Sequence, residues 1–206
     1  MAYLDCCEKA YKDYARRVEG ADFRETFGYL CFHTPFGGMV KGAHRHLMRK
    51  LYKTPPPEIE ADFQRRMAGS LAYGQRVGNT AGASVFLGLA GTLATGDFSN
   101  PQRIGFFSYG SGCCSEFYSG VATAEGQNRI RAMGIDAAMD SRHRLSIEEY
   151  ERLLRGNAAL RFGMRDAVPD RDIVPGAWQA YENRASGSQR LVLRAIEGYH
   201  RLYDWI

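Results

Sequence analysis

Alternating runs of apolar and polar residues predict three elements at the start of the chain. Apolar residues recur at helical spacing over residues 3 to 18 and predict a helix. Residues 27 to 33, FGYLCFH, are apolar on both faces and predict a short buried strand. Pro35 and the glycine pair at 37–38 predict a turn. An apolar stripe over residues 39 to 52 then predicts a second helix.

The next part of the chain predicts two further helices. One begins at Pro57, has acidic residues near its positive end, and runs to about residue 79. Residues 79 to 96 mix glycine and alanine with large apolar residues. Since glycine inside a helix costs up to about 1 kcal/mol against alanine, its repeated use predicts a close approach by another backbone. We therefore expect a central helix that is buried all round.

The second half of the chain predicts strand pairs around a helical region. Residues 103 to 112 end in a glycine-flanked turn and residues 115 to 123 alternate in polarity, so together they predict a β-hairpin. Ser146 and Glu149 have the spacing of a capping box, which predicts a helix N-terminus. Residues 166 to 176 predict a loop, and residues 191 to 205 predict a last strand or strand pair. Strand–helix alternation followed by hairpins indicates an α/β fold in mixed layers.

Composition narrows the class of protein. The 206 residues suffice for one sizeable domain. The net charge of +4 comes without a long Lys/Arg run, so we expect no nucleic-acid partner. The longest apolar stretch, residues 83 to 94, is shorter than the roughly 20 residues that span a bilayer. The first residues are charged and resemble no signal peptide. We expect a cytoplasmic protein without a membrane segment.

The cysteine and histidine patterns predict no metal site. The five cysteines form two adjacent pairs, 6–7 and 113–114, plus Cys31, and this odd count fits a reducing compartment. No CxxC spacing is present. His44 and His46 are two residues apart, so on a helix they point in different directions and make a poor ligand pair.

Three polar positions at strand ends or loops are candidates for chemistry. His33 follows the predicted strand, Asn79 lies at a helix junction, and Tyr109–Gly112 forms the turn of the hairpin. Ligand sites of layered α/β folds commonly lie on such edges. A histidine there can exchange a proton near neutral pH, and an asparagine can donate to a carbonyl oxygen that gains charge.

Each candidate also has a purely structural interpretation. A buried histidine such as His33 can be satisfied by a backbone carbonyl. Asn79 can be a helix cap. The SYGSG sequence at residues 108 to 112 can be a plain tight turn. Spacing alone leaves both interpretations open.

Four motifs together resemble the 3-hydroxy-3-methylglutaryl-CoA synthase family. They are FHTPFGGMVKGAHR, RVGNTAGASVFLGLAGTL, RIGFFSYGSGCCSEFYSG and EGYHRLYDW, in this order over most of the chain. The resemblance is strongest to the bacterial branch that installs β-branches on polyketide chains. It implies that residues 1 to 206 are the C-terminal half of an enzyme with a thiolase-like layered α/β fold, which works as a dimer.

The resemblance also implies roles for individual residues. The family condenses an acetyl group, held on a cysteine, with a β-ketoacyl thioester, and then hydrolyses the product from the enzyme. His33 matches the histidine that holds and polarises the acceptor carbonyl groups. Asn79 matches the asparagine that assists it. Tyr109 and Ser111 match residues that line the same pocket, and Pro35 belongs to the same substrate-binding set.

The nucleophilic cysteine and the glutamate base of the family lie in an N-terminal half that this sequence does not contain. The cysteines Cys113 and Cys114 do not stand at the nucleophile position. Cys31 shares a strand face with His33, but we expect it to be buried and unreactive. The N-terminal half therefore comes from the same or a separate polypeptide, giving a homodimer or a heterotetramer of halves. A non-catalytic binding or scaffold homologue is the alternative.

The thioester carrier is indicated by the residues after FHTPF. Family members that use coenzyme A tend to carry lysines there, where this chain has the glycine pair 37–38. This difference favours an acyl carrier protein, with phosphopantetheine thioesters as substrates and no permanently bound cofactor. The helix face with Lys41, Arg45 and Arg49, continued by Lys50, could dock an acidic carrier protein or could simply be solvated. A coenzyme A-dependent synthase of the mevalonate route is the alternative enzyme.

Overall fold

The computed structural model describes residues 2–110, 112–184 and 191–206. The chain divides into two compact units, one ending at Ile135 and the other covering Asp136–Ile206. The first unit contains the candidate chemistry. Its elements are α1 (Ala2–Arg17), β1 (Tyr29–Phe32), α2 (Gly37–Tyr52), α3 (Pro56–Arg66), α4 (Ala68–Leu71), α5 (Gly74–Val77), a 3₁₀ turn (Ala81–Ala83), α6 (Ser84–Thr95), β2 (Gln102–Gly110), β3 (Cys114–Ala122) and α7 (Ala124–Ala132).

A three-stranded mixed sheet forms the centre of the first unit. β1 is parallel to β2, and β2 forms the predicted antiparallel hairpin with β3. Phe32 pairs with Phe107, and Phe107 pairs with Phe117. Because side chains alternate along a strand, the sheet presents two separate apolar faces.

Each face of the sheet is covered by a different helix. Residues of α1 share one apolar cluster with Phe32 and Phe107. Residues of α6 share the other cluster with Cys31 and Phe106. Successive side chains of a strand point to opposite faces of the sheet, so the polar side chains at the strand ends also point to a defined face.

The small residues of α6 allow a close approach, as predicted. A Cβ added to Gly91 would lie 2.7 Å from the carbonyl oxygen of Gly69, and one added to Gly88 would lie 3.3 Å from that of Ser70. The prediction that this helix is buried all round is wrong, because Phe86 is 68% exposed. One side of α6 contacts the sheet and α4, while its first turn presents Phe86 away from them.

Two further predictions about helices need correction. The helix expected from Pro57 to residue 79 is broken into α3, α4 and α5. Met67, with φ −123°, separates α3 from α4, and residues 72–73 separate α4 from α5. The glycine pair 37–38 is not a turn but opens α2, after an extended Phe36 at φ −158°. The prediction of the helix at residues 3 to 18 is confirmed by α1.

A buried ionic network fixes the loop that leads into β1. The guanidinium of Arg66 donates to both carboxylate oxygens of Asp62, at 2.8 and 2.6 Å, and to the carbonyl oxygens of Phe23 and Phe27, at 2.7 and 3.2 Å. The Nε2 atom of His44 lies 2.7 Å from Asp62. Although burial opposes ionisation, His44 and Arg66 hold the pKa of Asp62 well below its usual value.

The second unit combines helices with the predicted closing strand pair. Its elements are α8 (Ile135–Asp140), α9 (Ile147–Ala159), α10 (Ala177–Arg184), β4 (Leu191–Glu197) and β5 (His200–Trp205). The capping box of Ser146 and Glu149 is confirmed at the start of α9. β4 and β5 are antiparallel, and α10 is a helix that the sequence pattern did not predict. In the described parts of the chain, no helix is long and apolar enough to cross a membrane.

We expect Arg66→Ala to lower the free energy of unfolding by about 3–5 kcal/mol, because it leaves the buried Asp62 carboxylate without its main partner. Urea unfolding followed by circular dichroism measures this loss. Arg65→Ala is the matched control, since Arg65 also pairs with Asp62 but its side chain is 65% exposed. The control should cost no more than about 1 kcal/mol. Equal losses in the two variants would contradict the assigned role of Arg66.

Candidate active site

The backbone of His33 is held from two directions. Its N–H donates to the carbonyl oxygen of Phe107 at 2.7 Å, which extends the β1–β2 pairing by one residue. Its own carbonyl oxygen accepts from the Tyr3 hydroxyl of α1 at 2.6 Å. The residue is only 9% exposed. The histidine at the end of β1 is therefore fixed in position by the sheet and by α1.

The ring of His33 is oriented by Ser84 at the start of α6. Ser84 Oγ lies 3.0 Å from Nδ1 of His33 and accepts from the backbone N–H of Thr34, also at 3.0 Å. We assign the Ser84 hydroxyl as the donor of this bond and Nδ1 as its acceptor, and the neutral ring then carries its hydrogen on Nε2. Burial lowers the pKa of His33, so the ring is mainly neutral at pH 7.

The His33 cavity is an open cleft of about 550 Å³ at the ends of the strands. Tyr109 lines it, with its ring centroid 6.1 Å from that of His33. The lining does not include Pro35 or Asn79. Ser111 lies outside the described residues. The His33 cavity is lined by Asp13, Arg17, His33, Gly82, Val85, Ser108, Tyr109, Gly110, Cys114, Ser115 and Glu116.

Tyr109 is packed between α1 and the hairpin turn. Its ring contacts those of Tyr3 and Phe107, at centroid distances of 5.4 and 6.4 Å. Desolvation and the adjacent Cys113 raise the pKa of the Tyr109 hydroxyl, so it stays protonated at neutral pH. The turn contains the left-handed residues Gly112 and Cys113, at φ 83° and 62°.

Asn79 takes part in a local turn. Its Oδ1 accepts from the backbone N–H of Ala81 at 2.8 Å, just before the 3₁₀ turn that leads into α6. Ala81 itself has a left-handed φ of 50°. Asn79 thus closes a local turn, but the N-cap of the 3₁₀ turn is Thr80, so Asn79 is not the helix cap of the structural interpretation. The assisting role of Asn79 stays a prediction.

The basic residues of α2 fall into two groups. Lys41 is paired with Glu60 at 2.8 Å, and its ammonium lies over the ring of Phe63. Arg45 and Arg49 instead line a separate cleft of about 500 Å³ together with Lys50, His46, Gly42 and Leu4. The predicted docking face is therefore divided: Arg45, Arg49 and Lys50 remain together, and Lys41 lies apart from them.

Cys31 is an unreactive thiol, as predicted. It is fully buried and its Sγ lies 3.2 Å from Thr92 Oγ1. Burial raises its pKa to about 12, so almost no thiolate forms near neutral pH. Cys113 and Cys114 are exposed. Among the residues that the structure describes, no group of His, Cys, Asp or Glu is arranged to hold a metal ion.

Comparison with known proteins identifies the family. The family model described as "Hydroxymethylglutaryl-coenzyme A synthase C terminal" matches residues 49–174. The chain belongs to this family. Its fold is the thiolase-like α/β fold of the synthases that are its structural neighbours, which confirms the predicted fold class.

The similar proteins are about twice as long as this chain. The polyketide biosynthesis 3-hydroxy-3-methylglutaryl-ACP synthase PksG of Bacillus subtilis is 52% identical over 206 residues, which are 100% of this chain and 48% of that protein. The solved structure of the curacin biosynthetic pathway HMG synthase is 57% identical, with a TM-score of 0.93 over 99% of this chain and 50% of its own. The chain thus spans about half the length of these relatives.

Three residues of the site escaped the sequence analysis. Ser84 orients the His33 ring, Tyr3 holds its carbonyl oxygen, and Glu116 lines the His33 cavity. Ser84 stands 51 positions away from His33 in sequence. The only sequence signal was its place in the motif RVGNTAGASV, at the start of the glycine-rich helix.

We expect Ser84→Ala to abolish the preference of His33 for the tautomer with hydrogen on Nε2, because Nδ1 loses its donor. Long-range ¹H–¹⁵N correlation spectra of the imidazole measure this. Ser108→Ala is the matched control, since Ser108 lines the same cavity but bonds to Tyr118 at 3.3 Å. Spectra of Ser84→Ala identical to the wild type would contradict the assignment. The same titration should give His33 a pKa below 6.5 in the wild type.

Proposed function

We propose that this chain is the histidine-bearing half of a synthase that forms a C–C bond during polyketide β-branching. The enzyme condenses an acetyl thioester with a β-ketoacyl thioester carried on an acyl carrier protein. The observation that carries this proposal is the His33 ring, whose Nδ1 is engaged by Ser84 so that Nε2 is left for the cavity. The similarity to PksG over the whole chain supports the same reaction class.

His33 assists the addition step as a hydrogen-bond and proton donor. The carbanion of the acetyl thioester attacks the β-carbonyl carbon of the acceptor, forming the new C–C bond. The two electrons of the carbonyl π-bond move to oxygen, which becomes an alkoxide. A neutral histidine with hydrogen on Nε2 can stabilise this alkoxide with a hydrogen bond and then pass that proton to it, giving the tertiary alcohol. The proton that the glutamate base took from the acetyl methyl group then returns to Nε2 and restores the neutral ring. Water finally hydrolyses the thioester to the enzyme cysteine, releasing the carboxylate of the branch.

The cysteine nucleophile and the glutamate base come from an N-terminal half on the same or another polypeptide. The relatives are about twice as long as this chain, which leaves room for such a half. Large apolar side chains near the site are exposed: Phe36 is 59% and Phe86 68% exposed. An exposed apolar surface of this kind is typical of an interface, and we assign it to the missing half. The proposed assembly is a homodimer or a heterotetramer of halves.

Phosphopantetheine thioesters are the substrates, and no cofactor stays bound permanently. Acyl carrier proteins are acidic, so the cleft with Arg45 and Arg49 suits them by charge. A solved structure of the curacin synthase contains a donor acyl carrier protein, and it is 57% identical to this chain. The free thiols of all five cysteines suit a reducing cytoplasm.

We expect His33→Ala to lower kcat for condensation by at least about 100-fold, because the alkoxide loses its donor. Mass spectrometry of the carrier-bound product, with the chain joined or co-expressed with its N-terminal half, measures the rate. His143→Ala replaces an exposed histidine of the second unit and is the control. Full activity of His33→Ala would remove His33 from the mechanism.

We expect Arg45→Ala combined with Arg49→Ala to weaken binding of a donor acyl carrier protein by about tenfold, with a smaller effect at high salt. Isothermal titration calorimetry measures the dissociation constant. Lys41→Ala is the control, because Lys41 is already paired with Glu60. Tighter binding of coenzyme A than of the carrier protein would instead favour a coenzyme A-dependent synthase, such as the Enterococcus faecalis relative that is 34% identical over 153 residues.

A further inference from the structure

His33, Ser108 and Glu116 form a row across the three strands of the sheet. The N–H of His33 bonds to Phe107, which places His33 beside Ser108, and Ser108 pairs directly with Glu116. Paired residues on neighbouring strands point to the same side of a sheet. The side is that of α6, because Ser84 of α6 contacts the His33 ring.

The side chain between the two ends of this row is small. Strands are about 4.8 Å apart, so His33 and Glu116 are separated by about 10 Å at the backbone. Only the hydroxymethyl group of Ser108 stands between them, and its Oγ bonds to the Tyr118 hydroxyl at 3.3 Å. His33 and Glu116 both line the same cavity, and Glu116 is exposed in it. A molecule that bonds to His33 can therefore extend over Ser108 to the carboxylate.

Glu116 gives the cavity an excess of negative charge. The other two charged lining residues, Asp13 and Arg17, pair with each other at 2.9 Å. His33 is mainly neutral at pH 7, because burial lowers its pKa. In the described part of the chain, Glu116 has no ion pair or hydrogen bond through its carboxylate. The uncompensated carboxylate of Glu116 therefore faces any molecule that binds along this row.

We propose that Glu116 is a specificity-determining residue that admits uncharged acyl chains and rejects acceptors whose acyl chain carries a carboxylate. This inference rests on the proposed function. His33 follows β1, which is one edge of the described three-stranded sheet, and Glu116 lies on β3, which is the other edge, so the row runs from His33 across Ser108 to Glu116. With the β-carbonyl at His33, the acyl chain beyond it lies towards Glu116. Two like charges in a partly exposed cleft repel each other strongly enough to alter selection on the order of tenfold.

Two six-carbon acceptors that differ only at the chain end test the proposal. The 3-oxohexanoyl group ends in a methyl group, and the 3-oxoadipyl group ends in a carboxylate. Both are loaded on the same carrier protein, and kcat/KM is measured for the enzyme that contains both halves. We expect the wild type to prefer 3-oxohexanoyl by at least about tenfold. Glu116→Gln should reduce this preference about tenfold, mainly by raising kcat/KM for 3-oxoadipyl.

Matched variants separate charge from structure. Glu116→Asp keeps the charge and should retain the preference for the uncharged acceptor. Glu19→Gln removes an exposed carboxylate outside the cavity and should also retain it. A preference that stays within about twofold of the wild type in Glu116→Gln would overturn the proposal, as would a wild type without any preference.

A failure of the charge selection by Glu116 can be distinguished from a failure of the proposed function. A wild-type enzyme that condenses neither acceptor would refute that function. The charge selection would then be measured by calorimetric binding of the amide analogues of the two acyl-carrier thioesters, which cannot react. Equal affinities of wild type and Glu116→Gln for the carboxylate analogue would refute the selection itself.

Discussion

Strand β1 is four residues long, and its pairing with β2 positions every group of the candidate site. Because both faces of this strand are buried, its register cannot slip without exposing Leu30 and Phe32 or moving Cys31 out of its cluster. The pairing continues by one bond to His33, so the last ladder hydrogen bond of the strand also locates the ring. The helices α1 and α6 lie on opposite faces of the sheet. Tyr3 of α1 then holds the carbonyl oxygen of His33, and Ser84 of α6 holds its ring.

Buried polar groups, rather than apolar packing alone, define the route of the chain into β1. Arg66 bonds to the carbonyl oxygens of Phe23 and Phe27, and the carboxylate of Asp62, which also contacts His44, compensates its charge. An unpaired charge at this depth would be costly, so the network tolerates few alternative loop conformations. The site thus depends on two polar systems: one at the start of β1 and one, around His33, at its end.

The arrangement of the site suits a chain that supplies only part of an active centre. His33 is held in position and mainly neutral at pH 7, and its cavity is open. The exposed Phe86 directly follows the lining residue Val85 in sequence. The buried Cys31 has a raised pKa and cannot replace a missing nucleophile. Under the proposed function, His33 acts with a nucleophile from another half, and the greater length of the relatives agrees with this proposal.

Local patterns in the sequence determined the helix α1, the hairpin of β2 and β3, the capping box at Ser146, and the motifs that pointed to the family and to His33. Periodicity reports which face of an element is apolar, and such patterns are carried by residues close in sequence. Only the tertiary structure decided the breaks at Met67, the exposure of Phe86, the contact of Ser84 with His33, and the alignment of Glu116 with His33. These features depend on the register between strands and on packing between distant helices, which no local pattern encodes.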